Sequence, residues 1–122
     1  MSKVYHQGRV SFRALDSVTL SIDKGEFIAL AGPSGSGKTT LLNLIGSLDV
    51  PDEGDVYFDH KNLSEMNDSQ RADLRLHHIG FVFQAFHLIP RLTAFENVEL
   101  PLVLAGAAVR ERRQRVARTL AA

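Results

Sequence analysis

The stretch from Gly32 to Thr39 constrains this chain more than any other segment. It fits the pattern G-x-x-x-x-G-K-S/T at every fixed position, which is typical of a loop that wraps a polyphosphate. Gly32, Gly35 and Gly37 remove side chains that would obstruct backbone N–H groups turned toward the anion. A helix beginning at about Lys38 would aim its own unpaired N–H groups and its positive dipole end at the same anion. The segment therefore predicts a phosphate-binding P-loop.

The sequence on either side favours this interpretation over a merely flexible serine- and glycine-rich segment. Residues 27–31 form a continuous apolar run, which predicts a strand buried on both faces and ending directly at Gly32. Beyond the loop, apolar residues recur at helical spacing until Pro51. These residues are Leu41, Leu42, Leu44, Ile45 and Leu48. The order of strand, loop and helix is the context that the motif requires.

Composition limits the other functions that the chain can have. A length of 122 residues suffices for one small domain, since domains cluster at about 100–150 residues. The 14 basic and 14 acidic residues balance, which gives no reason to expect a nucleic-acid partner. The sequence has no cysteine, which excludes disulfides and thiolate metal sites. No apolar run approaches the roughly 20 residues of a membrane helix.

Alternating and apolar segments predict the other strands. Residues 17–22 alternate between polar and apolar side chains, which predicts a strand with one wet face before a turn at residues 23–26. Residues 55–59 predict a short strand bracketed by turns. Residues 79–83 predict a second buried strand, which ends on Gln84.

Three further helices are predicted after the P-loop helix. A polar helix runs from residue 67 or 68 to about residue 78 because Asn and Asp are good N-caps. Thr93 and Glu96 have the spacing of a capping box, and Pro101 limits or kinks the helix that follows. The last helix is predicted over residues 109–122.

Two alternatives come from the same residues. In a compact, complete P-loop kinase or NTPase, residues 55–59 would form a parallel strand and Asp59 would bind magnesium. That segment is short and alternating, which favours an antiparallel sheet instead. The second alternative is a non-catalytic nucleotide-binding or interaction module, in which the surface from Gln84 to Leu102 docks a partner helix.

Several blocks of sequence together resemble the ATPase subunits of ABC transporters, above all the branch serving lipoprotein release and macrolide export. The blocks are residues 32–40, residues 42–49 before Pro51 and Gly54, and residues 79–84 with residues 97–102. The resemblance implies an incomplete α/β P-loop NTPase fold. Its parts would be an N-terminal antiparallel β subdomain, the P-loop strand and helix, a Q-loop strand and the start of a helical subdomain.

The resemblance also implies ATP and Mg²⁺ as cofactors. Tyr5 would stack on adenine, and Gln84 would be the Q-loop glutamine that contacts magnesium and the attacking water. The implied nucleotide-binding residues are Tyr5, Gly32, Ser34, Gly35, Ser36, Gly37, Lys38, Thr39 and Thr40. The implied magnesium ligands are Thr39 and Gln84. One departure is His60, which stands where the family usually has glycine.

The partners follow from the same resemblance. They are a membrane-spanning transporter subunit and, in the full-length family, a second copy of the nucleotide-binding domain in a homodimer, on the cytoplasmic face of the cell membrane. Nothing after Gln84 matches the serine-glycine-glycine signature, the Walker B strand or the switch histidine. We expect residues 1–84 to be the β subdomain and P-loop core, and residues 85–122 the Q-loop and the beginning of the helical subdomain. Nucleotide binding without hydrolysis is expected, because phosphoryl transfer also needs a positioned water and neutralised charge.

Overall fold

Two antiparallel β-hairpins, a 3₁₀ turn and four α-helices form the chain, in a computed structural model that describes residues 1–122. They divide into two units, Met1–Arg71 and Ala72–Ala122. In chain order the elements are β1 (Lys3–Gln7), β2 (Val10–Leu15), α1 (Lys38–Ile45), β3 (Tyr57–Phe58), β4 (Lys61–Asn62), the 3₁₀ turn (Leu63–Glu65), α2 (Asp68–His78), α3 (Ala94–Leu104) and α4 (Val109–Leu120). The predicted α/β class is confirmed.

The hairpin of β1 and β2 opens the first unit. The two strands pair across a two-residue loop, with Gln7 opposite Val10 and Tyr5 opposite Phe12. This hairpin was not predicted, because its strands carry many polar residues. The hairpin contacts α1. Five apolar side chains form the buried core of this unit: Leu15, Leu41, Leu44, Val56 and Leu63.

The second hairpin lies after α1. Helix α1 begins at Lys38, as predicted, and ends at Ile45. Strands β3 and β4 pair antiparallel, which confirms the antiparallel interpretation of this region. Asp59 and His60 form the two-residue loop between them, both in the left-handed region, with φ of 47° and 64°. This is the conformation of a type I′ turn, which matches the twist of the flanking strands.

Helix α3 of the second unit has the N-terminal cap that the sequence predicted. The capping box of α3 is confirmed: Thr93 Oγ1 accepts from the Glu96 N–H, and the Glu96 carboxylate accepts from the Thr93 N–H. The hydrogen bonds that the Thr93 N–H and the Thr93 hydroxyl donate to the Glu96 carboxylate lower the pKa of Glu96. Helix α3 continues three residues beyond Pro101 and packs against α4, where Val116 is fully buried and Arg112 Nε lies 3.0 Å from Glu99 Oε1. None of the four helices has the length and apolar character needed to cross a membrane.

Three predicted strands are not formed. Residues 17–22, 27–31 and 79–83 have no strand pairing in the structure. The strand predicted over residues 55–59 is reduced to Tyr57–Phe58. The expected P-loop strand and Q-loop strand have no strand pairing within residues 1–122, because a strand satisfies its main-chain groups only through a neighbouring strand. The apolar composition of these segments specifies burial, but it supplies no pairing partner.

Candidate functional site

A cavity of about 300 Å³ lies over the loop that leads into α1. The loop and the first turn of α1 supply most of its wall, through Ser34, Gly35, Ser36, Gly37, Lys38, Thr39 and Thr40. All seven were predicted site residues. Phe12 and Ala14 of β2 complete the lining. The structure therefore gathers the predicted phosphate-binding residues around one open space in the first unit.

Two glycines give the loop its shape. Gly35 and Gly37 have φ of 79° and 87°, in the left-handed region that L side chains rarely adopt. Gly37 also has no room for a side chain, since a Cβ there would lie 2.5 Å from the Ala14 carbonyl oxygen and 2.9 Å from Leu15 Cδ2. Gly37 caps α1, and its carbonyl accepts the helical hydrogen bond from the Leu41 N–H. The close approach of β2 thus fixes the helix N-terminus beneath the loop.

Lys38 places its charge inside the loop. Its Nζ donates to Gly32 O at 2.8 Å, Pro33 O at 2.7 Å and Ser36 Oγ at 3.2 Å. An ammonium group has three N–H donors, so these bonds can use all of them. Gly32 joins the site through this contact. A phosphate reaching Lys38 would replace a carbonyl acceptor with a charged one, which makes a stronger hydrogen bond.

Tyr5 lies on β1 and does not line the cavity. Its hydroxyl donates to Asp49 Oδ2 at 2.9 Å, and Lys3 Nζ donates to Asp49 Oδ1 at 2.8 Å. Burial raises the pKa of the Tyr5 hydroxyl, as does Asp49, while a hydrogen bond with Thr40 opposes the rise. The predicted aromatic residue is therefore joined to the end of the α1 segment through Asp49.

The charges of Lys3 and Asp49 stabilise each other. Burial alone would raise the pKa of Asp49, but the hydrogen bonds from Lys3, the Val50 N–H and Tyr5, together with the charge of Lys3, outweigh burial and lower the pKa of Asp49. Burial likewise disfavours the Lys3 ammonium, yet Asp49 and Asp52 raise its pKa overall. Lys3 Nζ also donates to Val50 O at 2.7 Å. This network joins β1 to the segment after α1.

The cavity wall suits a magnesium–phosphate ligand. Its polar side chains are hydroxyls and one ammonium, with no carboxylate. Mg²⁺ in nucleotide sites takes few protein oxygens and completes its shell with phosphate and water. The Thr39 hydroxyl in the wall is a suitable oxygen ligand. The donor set thus fits a metal that arrives with the nucleotide.

The other two predicted ligands are not among the residues that line the cavity. Gln84 is exposed, in a segment of the second unit without helix or strand. Asp59 lies in the turn between β3 and β4 and does not line the cavity. The alternative in which Asp59 ends a parallel strand and binds magnesium was wrong, because the strand before it is antiparallel to its neighbour.

Sequence reasoning also missed four residues around the site. Phe12 and Ala14 line the cavity, and Lys3 and Asp49 form the network behind Tyr5. Val10, Phe12 and Ala14 do alternate with polar residues directly after Gly8-Arg9, and this period of two is the signal that could have revealed β2.

A glycine-shaped loop, a helix N-terminus and an inward lysine define the P-loop class of nucleotide-binding proteins. The ABC transporter family model matches residues 15–122. The chain therefore belongs to the ABC transporter family, and the resemblance found in the sequence is confirmed.

Individual relatives agree with this assignment. An uncharacterized ABC transporter ATP-binding protein of Methanocaldococcus jannaschii, MJ0796, is 52% identical over 103 residues, which are 84% of this chain and 44% of the relative. The lipoprotein-releasing system ATP-binding protein LolD of Legionella pneumophila is 47% identical over 114 residues, 93% of this chain and 50% of LolD. The macrolide export ATP-binding/permease protein MacB of Photorhabdus laumondii is 47% identical over 115 residues, 94% of this chain and 18% of MacB.

A solved structure has the same fold. The dimeric, post-hydrolysis state of the MJ0796 ATP-binding cassette, bound to ADP and Pi, superposes with a TM-score of 0.88 at 48% identity. The match covers 96% of this chain and 52% of that one. The chain thus spans about half the length of the ATP-binding proteins MJ0796 and LolD.

Proposed function

We propose that this chain binds Mg-ATP at the P-loop cavity, as part of an ATP-binding subunit of an ABC transporter. The observation that carries the proposal is the loop itself, in which Gly35 and Gly37 hold left-handed conformations and lead into α1 beside Lys38. Such a loop presents backbone N–H groups and a helix dipole to an anion.

Each residue of the site has a proposed role. The Gly35–Thr39 backbone and Lys38 hold the phosphates, with Gly32, Ser34, Ser36 and Thr40 shaping the loop around them. Thr39 and Gln84 are proposed magnesium ligands, and Tyr5 contributes to the adenine site. Bound Mg²⁺ would neutralise phosphate charge. The support within the structure is the shared cavity for the loop residues; for Gln84 and Tyr5 it is the family resemblance.

We propose further that residues 1–84 are a β subdomain with the P-loop core, and that residues 85–122 are the Q-loop with the beginning of a helical subdomain. Phe86, Leu88 and Ile89 are exposed, and Asn97 holds this segment by accepting from the Ile89 N–H at 2.8 Å and donating to Leu92 O at 3.1 Å. An ordered loop that exposes apolar side chains suits a protein partner. The proposed partners are a membrane-spanning transporter subunit and a second nucleotide-binding domain, at the cytoplasmic face of the membrane.

Titration calorimetry with ATP and Mg²⁺ tests the binding proposal. The Lys38→Ala variant should lose most of its ATP affinity because it lacks the charge that meets the phosphates. Lys24→Ala, an exposed lysine in the turn at residues 23–26, is the matched control and should bind like the unaltered chain. Failure of the unaltered chain to bind ATP would disprove the proposal.

Phosphate release tests the expected lack of hydrolysis. The unaltered chain should release phosphate no faster than Lys38→Ala, since residues 85–122 contain no match to the Walker B strand that carries the catalytic carboxylates. Turnover that Lys38→Ala abolishes would contradict this expectation.

A further inference from the structure

Asp49 lies shortly after α1, and hydrogen bonds hold its carboxylate in one orientation. Lys3 Nζ and the Val50 N–H both donate to Asp49 Oδ1 at 2.8 Å. Asp49 Oδ2 accepts from the Tyr5 hydroxyl at 2.9 Å. The side chains of Asp49 and Lys3 are 27% and 10% exposed, so solvent screens this pair less than a surface pair. Because Oδ1 is engaged twice, Oδ2 stays directed at Tyr5.

The Tyr5 hydroxyl continues this chain of hydrogen bonds to the P-loop helix. A phenol has one hydrogen and an ionised carboxylate can only accept, so the Tyr5 hydrogen goes to Asp49. The Tyr5 oxygen is left as an acceptor, and its second hydrogen bond is with Thr40. Thr40 therefore donates its hydroxyl hydrogen to Tyr5. Asp49, Tyr5 and Thr40 form one directed chain, whose last member lies in the cavity wall.

The hairpin of β1 and β2 thereby contacts the residues at both ends of α1. Before the first turn, the Ala14 carbonyl of β2 lies only 2.5 Å from the place that a Cβ of Gly37 would occupy. After the last turn, β1 holds Asp49 through Tyr5. Thr40, in the first turn, is joined to the same tyrosine. The hairpin thus holds the turn whose free N–H groups can bind an anion.

We propose that Asp49 is a positioning residue for the phosphate site and that it fixes the first turn of α1 through Tyr5 and Thr40. This inference rests on the proposed function, because the P-loop must hold the phosphates of the ligand. It concerns the Tyr5 hydroxyl and not the ring, so it applies to a bare polyphosphate as well as to a nucleotide. A turn that is already held in its binding conformation loses less freedom when the anion binds, which strengthens binding.

Titration calorimetry with tripolyphosphate and Mg²⁺ tests the proposal without a nucleoside. Tyr5→Phe removes only the hydroxyl, and Asp49→Asn leaves one side-chain oxygen for the two donors Lys3 and Tyr5. Each variant should bind tripolyphosphate about 3- to 10-fold more weakly, the range expected for the loss of one hydrogen bond. The double variant should bind no more weakly than the weaker single variant, because the two residues act in series. In a Thr40→Val background, Tyr5→Phe should have no further effect, because the hydroxyl that Tyr5 holds is absent.

Glu99→Gln is the matched control for a loss of stability. Glu99 and Arg112 form a partly buried ion pair like that of Asp49, with side chains 18% and 20% exposed, but the pair includes no P-loop residue. Glu99→Gln should therefore bind tripolyphosphate normally. Circular dichroism at the assay temperature checks that each variant is folded. If Asp49→Asn does not fold, Tyr5→Phe decides the outcome.

Other results would overturn the proposal in distinguishable ways. Normal tripolyphosphate binding by Tyr5→Phe would show that the hydroxyl does not position the turn. Additive losses in the double variant would show that Asp49 does not act through Tyr5. An equal loss of affinity in Glu99→Gln would assign the effect to stability alone. If the unaltered chain bound neither tripolyphosphate nor ATP, the proposed function would fail and this inference with it.

Discussion

The P-loop and the two apolar segments at residues 27–31 and 79–83 carried the strongest sequence signals, but the structure forms only the first of them as predicted. The loop is seated against β2, with Gly37 in contact with the Ala14 carbonyl. In the apolar segments, Phe27 is 97% exposed and Val82 is fully exposed. A sequence motif and an apolar run are thus unequal evidence for a formed structure.

The reason lies in where each structure finds its hydrogen-bond partners. The loop needs left-handed glycines and a following helix, and its own few residues supply both. Its only long-range requirement is one strand, β2, against which it packs. A buried parallel strand needs neighbours on both sides and cover on both faces. Within this chain neither apolar segment pairs with another strand. The local requirements of the loop are met, whereas the strand pairing that residues 27–31 and 79–83 need is not formed within this chain.

The Gly37→Ala variant should lose the most stability, and it tests whether the P-loop depends on its close fit against β2. The Cβ would meet the Ala14 carbonyl, and the φ of 87° would be strained for any L side chain. We expect a loss of about 2–4 kcal/mol in the unfolding free energy, measured by urea denaturation followed by circular dichroism.

Alanine at Gly35 is the control for the Gly37 variant. Its φ is 79°, but nothing lies within 4 Å of a Cβ there. Only the backbone strain applies, and the loss should be about 1–2 kcal/mol. Equal losses at the two glycines would show that the approach of β2 does not matter.

The Lys3–Asp49 network tests a non-local contact that did form. Asp49→Asn removes the charge opposite Lys3, whose side chain is largely buried, and should cost about 1–3 kcal/mol at pH 7. Because the pKa of Asp49 is lowered in the folded chain, its contribution is complete above the unfolded-state pKa of about 3.9 and is lost as pH falls through the folded-state pKa. The pKa of Lys3 is raised, so its contribution is lost only as pH rises beyond about 10.4.

Urea denaturation of both proteins from pH 7 to pH 3 measures this dependence. The difference in unfolding free energy should be constant down to about pH 4 and should then shrink, because Asp49 becomes protonated. A constant difference across the whole range would mean that the Asp49 charge does not contribute.

The difference between local and long-range contacts also explains which features could be predicted from the sequence. The start of α1 at Lys38 and the Thr93–Glu96 capping box depend on neighbouring residues, and both were correct. The cavity wall formed by Phe12 and the pairing of Lys3 with Asp49 were missed, since each joins segments far apart in the chain. Spacing along the sequence describes side-chain direction within an element, but it does not describe which elements meet.

The His60→Gly variant should change the unfolding free energy less than the variants above, and it should increase it. His60 has a φ of 64° in the type I′ turn, a conformation that glycine adopts without steric cost. We expect His60→Gly to raise the unfolding free energy by about 0.5–1 kcal/mol, measured by thermal denaturation. His60→Ala keeps the Cβ and should change it by less than about 0.5 kcal/mol. If both variants were equally stabilised, backbone strain at this position would not be the cause.

The Phe27→Ser variant should have the smallest effect on stability. It tests directly whether the apolar segment at residues 27–31 is exposed in solution. A residue that is 97% exposed loses almost no buried apolar surface, so the unfolding free energy should change by less than about 0.5 kcal/mol. Leu44→Ala in α1, where the side chain is buried, should cost about 2–5 kcal/mol in the same urea experiment. Exposed apolar segments with strand-forming composition favour self-association, so Phe27→Ser should also raise the monomer fraction in sedimentation measurements. If Phe27→Ser lowered the unfolding free energy by more than about 1 kcal/mol, the Phe27 side chain would be buried in solution, and residues 27–31 would be packed rather than exposed.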